Sequence, residues 1–407
     1  MARKPRQRRP PVPSQSFTHE GGTITPTKKR RRRRQLTTTN ATETLTLPPF
    51  LTLSSDLVEE IFCRLSVKDL LKLQSICKSW KALISDHKFI KKHLCMSKAS
   101  KNHHHLIIYP RVDSYNLYLY DYIIPSVLSS NMSSSTVKQT ELSCPNVLNN
   151  VVDICSCDGI LCFTINNHTV LLWNPTIRKY YIYPPLPIEN ERCDSMFSFG
   201  YDHFTHSYKI VAVTNLRKKL KNEVRVFTLG TDSWRKIQDL PYSNCIVRPG
   251  VFLSGTINWL VYDAEIRSSH FIISLDFENE SYQKFLLPNV ETDHSSLGVL
   301  RDFLCIFAST DMFVDVWTMK KFGNKESWTK LYQVPYYMGG RGLYSHHKAL
   351  YISNDDQLLM FFEELRQSKL DVYDFKSGTF NTSNIKSFIG DYMYPEVYVE
   401  SLVSPCY

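Results

Sequence analysis

The stretch from Leu53 to Trp80 reads LSSDLVEEIFCRLSVKDLLKLQSICKSW, and its apolar residues recur at the spacing of an α-helix. Asp56, with Glu59 three residues later, is typical of a capping box and predicts where the helix starts. The apolar stripe follows at i, i+4 and i+8 and is widened by two neighbours: Leu57, Ile61, Leu65, Val58 and Phe62. The segment is therefore predicted to open with an amphipathic helix.

Further short helices are predicted directly after this one. Ser66 with Asp69 predicts a second helix start, and Asp86 can cap a fourth helix. The apolar residues of the second, third and fourth helices are Leu70, Leu71, Leu73, Ile76, Trp80, Leu83, Ile84, Phe89, Ile90 and Leu94. Three or four helices in about 40 residues bury too little apolar surface to make a robust core alone. Residues 47–97 are therefore predicted to be a small all-α module that needs a partner.

From residue 104 to 407 the helical period gives way to short β-rich runs separated by turn residues. One element recurs: an aromatic residue or leucine, then Asn, Asp or Thr, a tight turn, and a second aromatic residue. It occurs as Trp173-Asn174 with Tyr180, Phe227-Thr228 with Trp234, Leu275-Asp276 with Tyr282, Trp317-Thr318 with Trp328, Tyr373-Asp374 with Phe380, and a weaker first copy at Tyr120-Asp121. The leading positions lie 53, 54, 48, 42 and 56 residues apart.

This spacing is close to the kelch-type period of about 50 residues per blade. It predicts an all-β, propeller-like domain of about six blades, in which a repeated four-stranded sheet closes around an axis and protects its edges. A pair of open β-sandwiches with chance similarity between their hairpins is the alternative. Apolar strands with a glycine near their start, at Gly159–Phe163, Gly250–Leu260 and Gly298–Phe307, suit the inner strands of blades.

The chain carries a net charge of +10, and all of it belongs to the first 46 residues. That segment holds twelve Lys and Arg against two Glu, so the remaining 37 basic and 37 acidic residues cancel. It has almost no large apolar residues and is predicted to be disordered. It contains a run typical of a nuclear-localisation signal: Lys28, Lys29, Arg30, Arg31, Arg32, Arg33 and Arg34. A folded nucleic-acid-binding domain is not implied, although a polybasic arm with weak RNA or DNA contacts is an alternative.

The composition also limits the class of protein. Eleven scattered cysteines and no apolar signal segment favour a reducing compartment with free thiols, and no run of 18 apolar residues exists to span a membrane. Phosphate-loop, GxSxG, HExxH and GxGxxG motifs are absent. Cys155, Cys157 and Cys162 are expected to be core cysteines, and His103–His105 a solvated run. We therefore expect no catalytic residue, no cofactor site and no metal site.

The helical stretch resembles the F-box, whose usual pattern is LPxDLxxEILxRLPxKxLxRxxxVCKxW. The matching positions are Leu53, Asp56, Leu57, Glu60, Ile61, Arg64, Leu65, Lys68, Leu70, Cys77, Lys78 and Trp80. Ser54 and Ser66 replace two prolines of the pattern. Because serine is a good N-cap, both changes are expected to keep the helix starts, while the strength of docking stays open.

The later part of the chain, from about Cys155 to Pro405, resembles the F-box-associated domain of plant F-box/kelch-repeat proteins. The resemblance rests on CSCDGILCF, LWNPTIRKY, FGYD, YKIVAV, VFTLGTDSWRKI, GVFLSGTINWL, IISLD, DVWTMK, SWTKLY and YVESLVSP. Kelch-type double glycines are missing except at Gly339-Gly340, so "kelch" describes the expected architecture better than the sequence.

These resemblances imply a substrate receptor of a Skp–cullin–F-box ubiquitin ligase that performs no catalysis itself. The F-box would bind a Skp-type adaptor, and through it a cullin and a RING subunit, while the propeller would bind a protein substrate. The residues expected at the adaptor interface, or in the small core behind it, are Leu53, Leu57, Ile61, Leu65, Leu70, Ile76 and Trp80. Loops expected to reach the substrate are Thr214–Glu223, Tyr262–Ser269 and Pro335–His347.

The basic tail adds an import receptor as an expected partner, and the nucleus, alongside the cytoplasm, as an expected location. The alternatives are a nuclear interaction scaffold with a vestigial F-box, an enzyme built on a propeller, and a nucleic-acid binder that works through the arm. Co-purification of the adaptor and the cullin distinguishes the ligase subunit from the scaffold. A bound cofactor would indicate the enzyme, and salt-dependent binding that is lost without residues 1–46 would indicate the nucleic-acid binder.

Overall fold

The structure is a computed structural model that describes residues 53–111, 118–129, 140–143, 151–187, 194–216, 221–241, 245–246, 248–262, 270–288, 294–310, 312–335, 346–364, 367–382, 385 and 392–406. The basic tail, including Lys28–Arg34, lies outside these residues. Within the described part, no helix is long and apolar enough to cross a membrane.

Four helices lead the described chain: α1 Ser55–Phe62, α2 Val67–Leu73, α3 Lys78–Ser85 and α4 His87–Ala99. We call residues 54–99 the helical module. Ser66 and Asp86 cap α2 and α4 as predicted, since their side chains accept hydrogen bonds from backbone N–H groups of the first turn. The capping box predicted at Asp56 and Glu59 was wrong by two residues, whereas Ser54 keeps this helix start as expected. The cap of α1 is Ser54, whose hydroxyl accepts from the Leu57 N–H, because the chain is still extended at Ser54.

The core of the helical module includes side chains from the β part of the chain. Its buried residues are Phe62, Cys63, Val67, Leu70, Ile84, Phe89 and Leu402, and Ile177 packs against them half-buried. Leu402 and Ile177 come from the far end of the sequence and from a turn after a strand. This contact explains how so few helices are stable, because part of their apolar surface is covered within the same chain.

We expect Ser66→Ala to lower the free energy of unfolding by about 1 kcal/mol. The Ser66 hydroxyl accepts from the Asp69 N–H at 3.2 Å and donates to the Asp69 carboxylate at 2.8 Å, and alanine removes both contacts. Urea unfolding would measure the change. Lys68→Ala, an exposed substitution on the same helix, is the control and should stay within about 0.5 kcal/mol. Equal losses in the two variants would contradict the capping role.

The rest of the chain is built almost entirely of strands. A short helix, α5 Ile124–Leu128, follows the second of them. The strands are β1 His104–Arg111, β2 Tyr118–Ile123, β3 Thr140–Ser143, β4 Val151–Cys157, β5 Ile160–Ile165, β6 Thr169–Asn174, β7 Lys179–Ile182, β8 Asp194–Asp202, β9 Ser207–Leu216, β10 Lys221–Thr228, β11 Arg235–Lys236, β12 Cys245–Ile246, β13 Val251–Leu253, β14 Thr256–Tyr262, β15 His270–Asp276, β16 Tyr282–Leu286, β17 His294–Leu300, β18 Phe303–Ser309, β19 Phe313–Met319, β20 Trp328–Pro335, β21 His346–Ile352, β22 Gln357–Glu364, β23 Gln367–Asp374, β24 Thr379–Thr382 and β25 Tyr392–Val399.

These strands form six antiparallel sheets, which are the six blades of a propeller. Four blades use four consecutive strands, for example β4 to β7 and β17 to β20. In the blade of β14 to β16, the innermost position is shared by the short strands β12 and β13, which both pair with β14. The remaining blade joins β25 to β1, β2 and β3, with Val399 opposite His104. The last strand of the chain therefore closes the ring on the first.

The recurring hairpin element marks the third and fourth strands of the blades. The predicted pairs face each other directly in three blades, as Trp173 opposite Tyr180, Leu275 opposite Tyr282 and Tyr373 opposite Phe380. In the blade of β19 and β20, the four extra residues are accommodated by a 3-10 helix at Lys325–Ser327 and a register shift at Val316/Trp317. The prediction of about six blades is confirmed.

The cysteine and histidine predictions had different outcomes. Cys157 and Cys162 are buried, Cys155 is half-buried, and eight cysteines of the described part of the chain are free thiols. The described residues contain no cluster that could hold a metal ion. The expectation of a solvated run at His103–His105 was wrong. These residues are half-buried where the helical module meets the propeller, because β25 pairs with β1 and covers them.

Candidate functional site

The helical module leaves several large apolar side chains in solvent. Leu57 and Ile61, one turn apart on α1, are 53% and 47% exposed, and Ile76, between α2 and α3, is 63% exposed. Leu53, before α1, is 37% exposed. Exposed apolar side chains concentrated on one small module are typical of a surface that binds another protein.

The other three predicted residues of this site are less accessible. Leu70 is fully buried, and Leu65 and Trp80 are half-buried against the same core. The Trp80 ring packs edge-on against Phe62 with 5.1 Å between ring centroids. The sequence alone left interface and core roles unseparated. In the structure, Leu57, Ile61 and Ile76 are available to a partner, whereas Leu70 supports the fold.

Ion pairs border the exposed face of α1. Glu60 pairs with Arg64 at 2.6 Å, and Glu59 pairs with Lys92 of α4 at 2.7 Å. The hydrogen bond and charge of Arg64 hold the pKa of the Glu60 carboxyl below its usual value. A pair this exposed contributes little to stability, so we assign it to the polar border of the surface and not to the core.

The helical module is joined to one face of the propeller by polar contacts. The Glu400 carboxylate, just after β25, pairs with His103 and accepts from the Val67 N–H at 3.4 Å. Lys98 at the end of α4 pairs with Asp158 in the β4–β5 turn at 2.6 Å. Burial opposes the charged form of Lys98, but the Asp158 carboxylate outweighs it and raises the pKa of Lys98. These contacts fix the orientation of the module.

Gly159, in the β4–β5 turn, is required by the same close approach. Its φ of +81° lies in the left-handed region, and a Cβ there would lie 2.5 Å from the Ser401 Oγ and the Val399 carbonyl oxygen. The Ser401 hydroxyl donates to the Asp158 carbonyl oxygen at 2.7 Å. A larger residue would push apart the turn and the segment after β25 that contacts the helical module.

The strand directions place the strand ends beside the predicted substrate loops on the other face of the propeller, which we call the distal face. Strands alternate in direction within each blade, so turns between first and second strands all lie beside the helical module. The strand ends that flank the loops at 214–223, 262–269 and 335–347 belong to β9 and β10, β14 and β15, and β20 and β21, and these ends therefore lie at the distal face. The central residues of these loops are outside the described part of the chain.

The innermost strands of the six blades surround a channel along the propeller axis, with a volume of about 770 Å³. Lys98 of the helical module and Lys101, just after the module, line one end. Nearer the distal face, Lys348 pairs with Glu396 at 3.0 Å and Arg248 pairs with Glu363 at 3.3 Å. The Ser156 hydroxyl donates to Glu396 at 3.0 Å. We call this the axial channel.

Sequence reasoning missed both the junction and the axial channel. Glu400 lies within the closing YVESLVSP motif, and Asp153 is an acidic residue in the otherwise uncharged strand VVDICSC. An acidic residue within a mainly apolar strand was a usable signal. The partners were not visible, since the residues that pair at the junction and in the channel are far apart in sequence.

Comparison with protein families gives matches in two parts of the chain. Residues 50–92 match the F-box domain, and residues 108–405 match the F-box associated beta propeller domain. The first range contains α1, α2, α3 and the start of α4, and the second contains most of the propeller. The two matches therefore divide the chain close to the boundary between helices and strands.

Curated proteins of Arabidopsis thaliana are similar over most of the chain. An F-box/kelch-repeat protein is 28% identical over 86% of this chain and 95% of its own length. A putative F-box protein is 32% identical over 69% of this chain and 74% of its own. The F-box protein CPR1 is 26% identical over 87% and 89%, respectively. The similarity extends over both the helices and the strands.

Proposed function

The chain belongs to the plant F-box proteins with an F-box associated β-propeller domain, and from this premise we propose that it is the substrate-recognition subunit of a Skp–cullin–F-box ubiquitin ligase. The observation that carries the proposal is the exposure of Leu57, Ile61 and Ile76 beside the packed core of the helical module. A Skp-type adaptor covers these side chains in the proposed complex. Leu65 and Trp80, half-buried against the core of the module, support this surface from behind.

In this proposal the chain makes and breaks no covalent bond. It holds a substrate lysine near a ubiquitin carrier that the adaptor, cullin and RING subunits bring, and so raises their effective concentration. The contacts of Glu400 and Lys98 support this role, because a fixed junction keeps a constant geometry between adaptor and substrate. The distal face, opposite the helical module, is the proposed substrate side.

Affinity capture of the full chain from plant cells, with degradation blocked, tests the proposal. We expect the adaptor, the cullin and the RING subunit to be recovered together with a protein whose ubiquitylation depends on this chain. Recovery of other proteins without the adaptor would support the alternative, an interaction scaffold with a vestigial F-box, and would contradict the ligase function.

We also propose that the run Lys28–Arg34 binds an import receptor and directs the chain to the nucleus. The support is the density of seven consecutive basic residues in a segment that carries the whole net charge. Replacing all seven by glutamine in a fluorescent fusion should move the signal from the nucleus to the cytoplasm. Replacing Arg3, Lys4, Arg6, Arg8 and Arg9 is the control and should leave the nuclear signal. An unchanged distribution in the first variant would exclude the run as the import signal.

A further inference from the structure

One carboxylate in the distal part of the axial channel forms no ion pair with a described residue, although the charges of Arg248 and Lys348 act on it. Asp153, on β4, accepts a hydrogen bond from the Ile154 N–H at 2.8 Å. Within the described residues it forms no ion pair, whereas Glu396 and Glu363 beside it pair with Lys348 and Arg248. These five groups carry three negative and two positive charges. The distal part of the channel therefore has an excess of one negative charge.

The local backbone geometry sets the direction of the Asp153 side chain. The β4–β5 pairing shifts register between Val151 and Asp153, and such bulges occur where a strand redirects a side chain. Asp153 lies five residues before Asp158, which contacts the helical module, so it is about 16 Å along the strand from that face. The carboxylate thus faces the distal part of the channel.

The surroundings of Asp153 favour a cation over an anion as ligand. The nearby basic groups are already neutralised by their own carboxylates, so an anion would have to displace Glu396 or Glu363. A cation needs no displacement, because Asp153 has a free side. Burial raises the pKa of Asp153 to about 6, which leaves the group mainly ionised at pH 7.5. A volume of about 770 Å³ is within the range of ligand sites and accommodates a long side chain.

We propose that the distal part of the axial channel binds a lysine or arginine side chain of the substrate, with Asp153 contacting its charged group. This inference rests on the proposed function, in which the ligand is a segment of a protein. The ammonium or guanidinium group enters between the two ion pairs and neutralises the excess charge. Hydrogen bonds between charged groups are shorter and stronger than those between neutral groups.

Labelled nonapeptide pools test the proposal on the purified full-length chain. The central residue is fixed as Lys, Arg, Glu or Leu, and the flanks are randomised over uncharged residues. Fluorescence anisotropy should show that the Lys or Arg pool binds at least about tenfold more tightly than the Glu and Leu pools, as expected for one buried charge pair. Asp153→Asn should remove this preference.

Asp302→Asn is the matched control, because Asp302 is an exposed carboxylate that lines the channel at the end beside the helical module. It should keep the preference. No binding by any pool, a preference for Glu, or a preference that survives Asp153→Asn would each overturn the proposal. Binding of free spermidine through Asp153 while every pool is inert would assign the site to a small amine and would also overturn it.

The adaptor assay separates this inference from the proposed function. Asp153 is remote from the helical module, so both aspartate variants should capture the adaptor as the wild-type chain does. A wild-type chain that selects basic peptides but captures no adaptor would contradict the ligase function while supporting the channel. Capture of the adaptor without peptide selection would support the ligase function and contradict the channel proposal.

Discussion

Ile61→Asp is expected to weaken binding of the Skp-type adaptor at least about 100-fold, or about 2.7 kcal/mol. Ile61 is 47% exposed and lies one turn after Leu57 on α1. Adaptor binding would remove the new carboxylate from water, and the loss of apolar contact adds to this penalty. Titration of the purified chain with the adaptor in a calorimeter measures the effect.

The control is Leu286→Asp, which places the same charge on a side chain that is 49% exposed but lies on β16 of the propeller. It should bind the adaptor normally. Both variants should keep the wild-type melting temperature within a few degrees, because neither side chain is buried. Adaptor binding by Ile61→Asp at wild-type strength would show that α1 is not the docking surface.

The helical stripe illustrates what sequence patterning can and cannot decide. Spacing alone places Leu57, Ile61 and Leu65 on one face of a helix. It does not show which apolar residues of the module are covered, because Leu402 and Ile177 arrive from distant parts of the chain. Leu70 matches the family pattern as well as Leu57 does, and only the fold separates the buried residue from the exposed one.

The propeller was predictable because the same hairpin is repeated. Each copy places aromatic residues where the third and fourth strands pair, so local packing leaves a periodic trace in the sequence. The junction leaves no such trace. Glu400 and His103 are separated by 297 positions, and Ser156 and Glu396 by 240. Contacts made by ring closure between the last strand and the first cannot be read from local pattern.

The histidine run is a second case in which the local sequence pattern does not reveal long-range contacts. His103–His105 were predicted to be a solvated run because they lie at the junction between the helical and the β-rich parts of the sequence. In the structure, the His105 ring lies 3.1 Å from the Asp121 carboxylate, and His104 contacts the Tyr351 hydroxyl at the same distance. Burial opposes protonation of His105, but the hydrogen bond to Asp121 outweighs it and raises the pKa of that imidazole. Pairing between residues far apart in sequence therefore buries part of a run that was predicted to lie in solvent.

Asp153→Asn is expected to raise the free energy of unfolding at pH 7.5 by up to about 3 kcal/mol. Burial raises the pKa of Asp153 from 3.8 to about 6, so the ionised carboxylate is less favourable in the folded chain than in the unfolded one. A difference of about 2 pH units corresponds to about 3 kcal/mol at pH values above 6. Urea unfolding at pH 7.5 measures the gain, and Asp302→Asn, at an exposed carboxylate, should show less than about 0.5 kcal/mol.

The pH dependence gives this prediction its sign. A carboxyl whose pKa is raised by folding binds its proton more tightly in the folded state, so stability falls as pH rises from about 4 to about 6. The advantage of Asp153→Asn should therefore appear across that window, remain constant above it and vanish below pH 4. An advantage that is independent of pH would mean that Asn stabilises through packing and not through the removal of a charge.

A residue that lowers stability at neutral pH is typical of a binding site, since stability and function often oppose each other at such sites. A lysine-centred peptide that pairs with Asp153 would relieve the penalty of the buried charge. It should therefore raise the melting temperature of the wild-type chain and leave that of Asp153→Asn unchanged. Equal shifts in the two chains would show that the peptide does not bind through Asp153. The buried charge would then affect stability only.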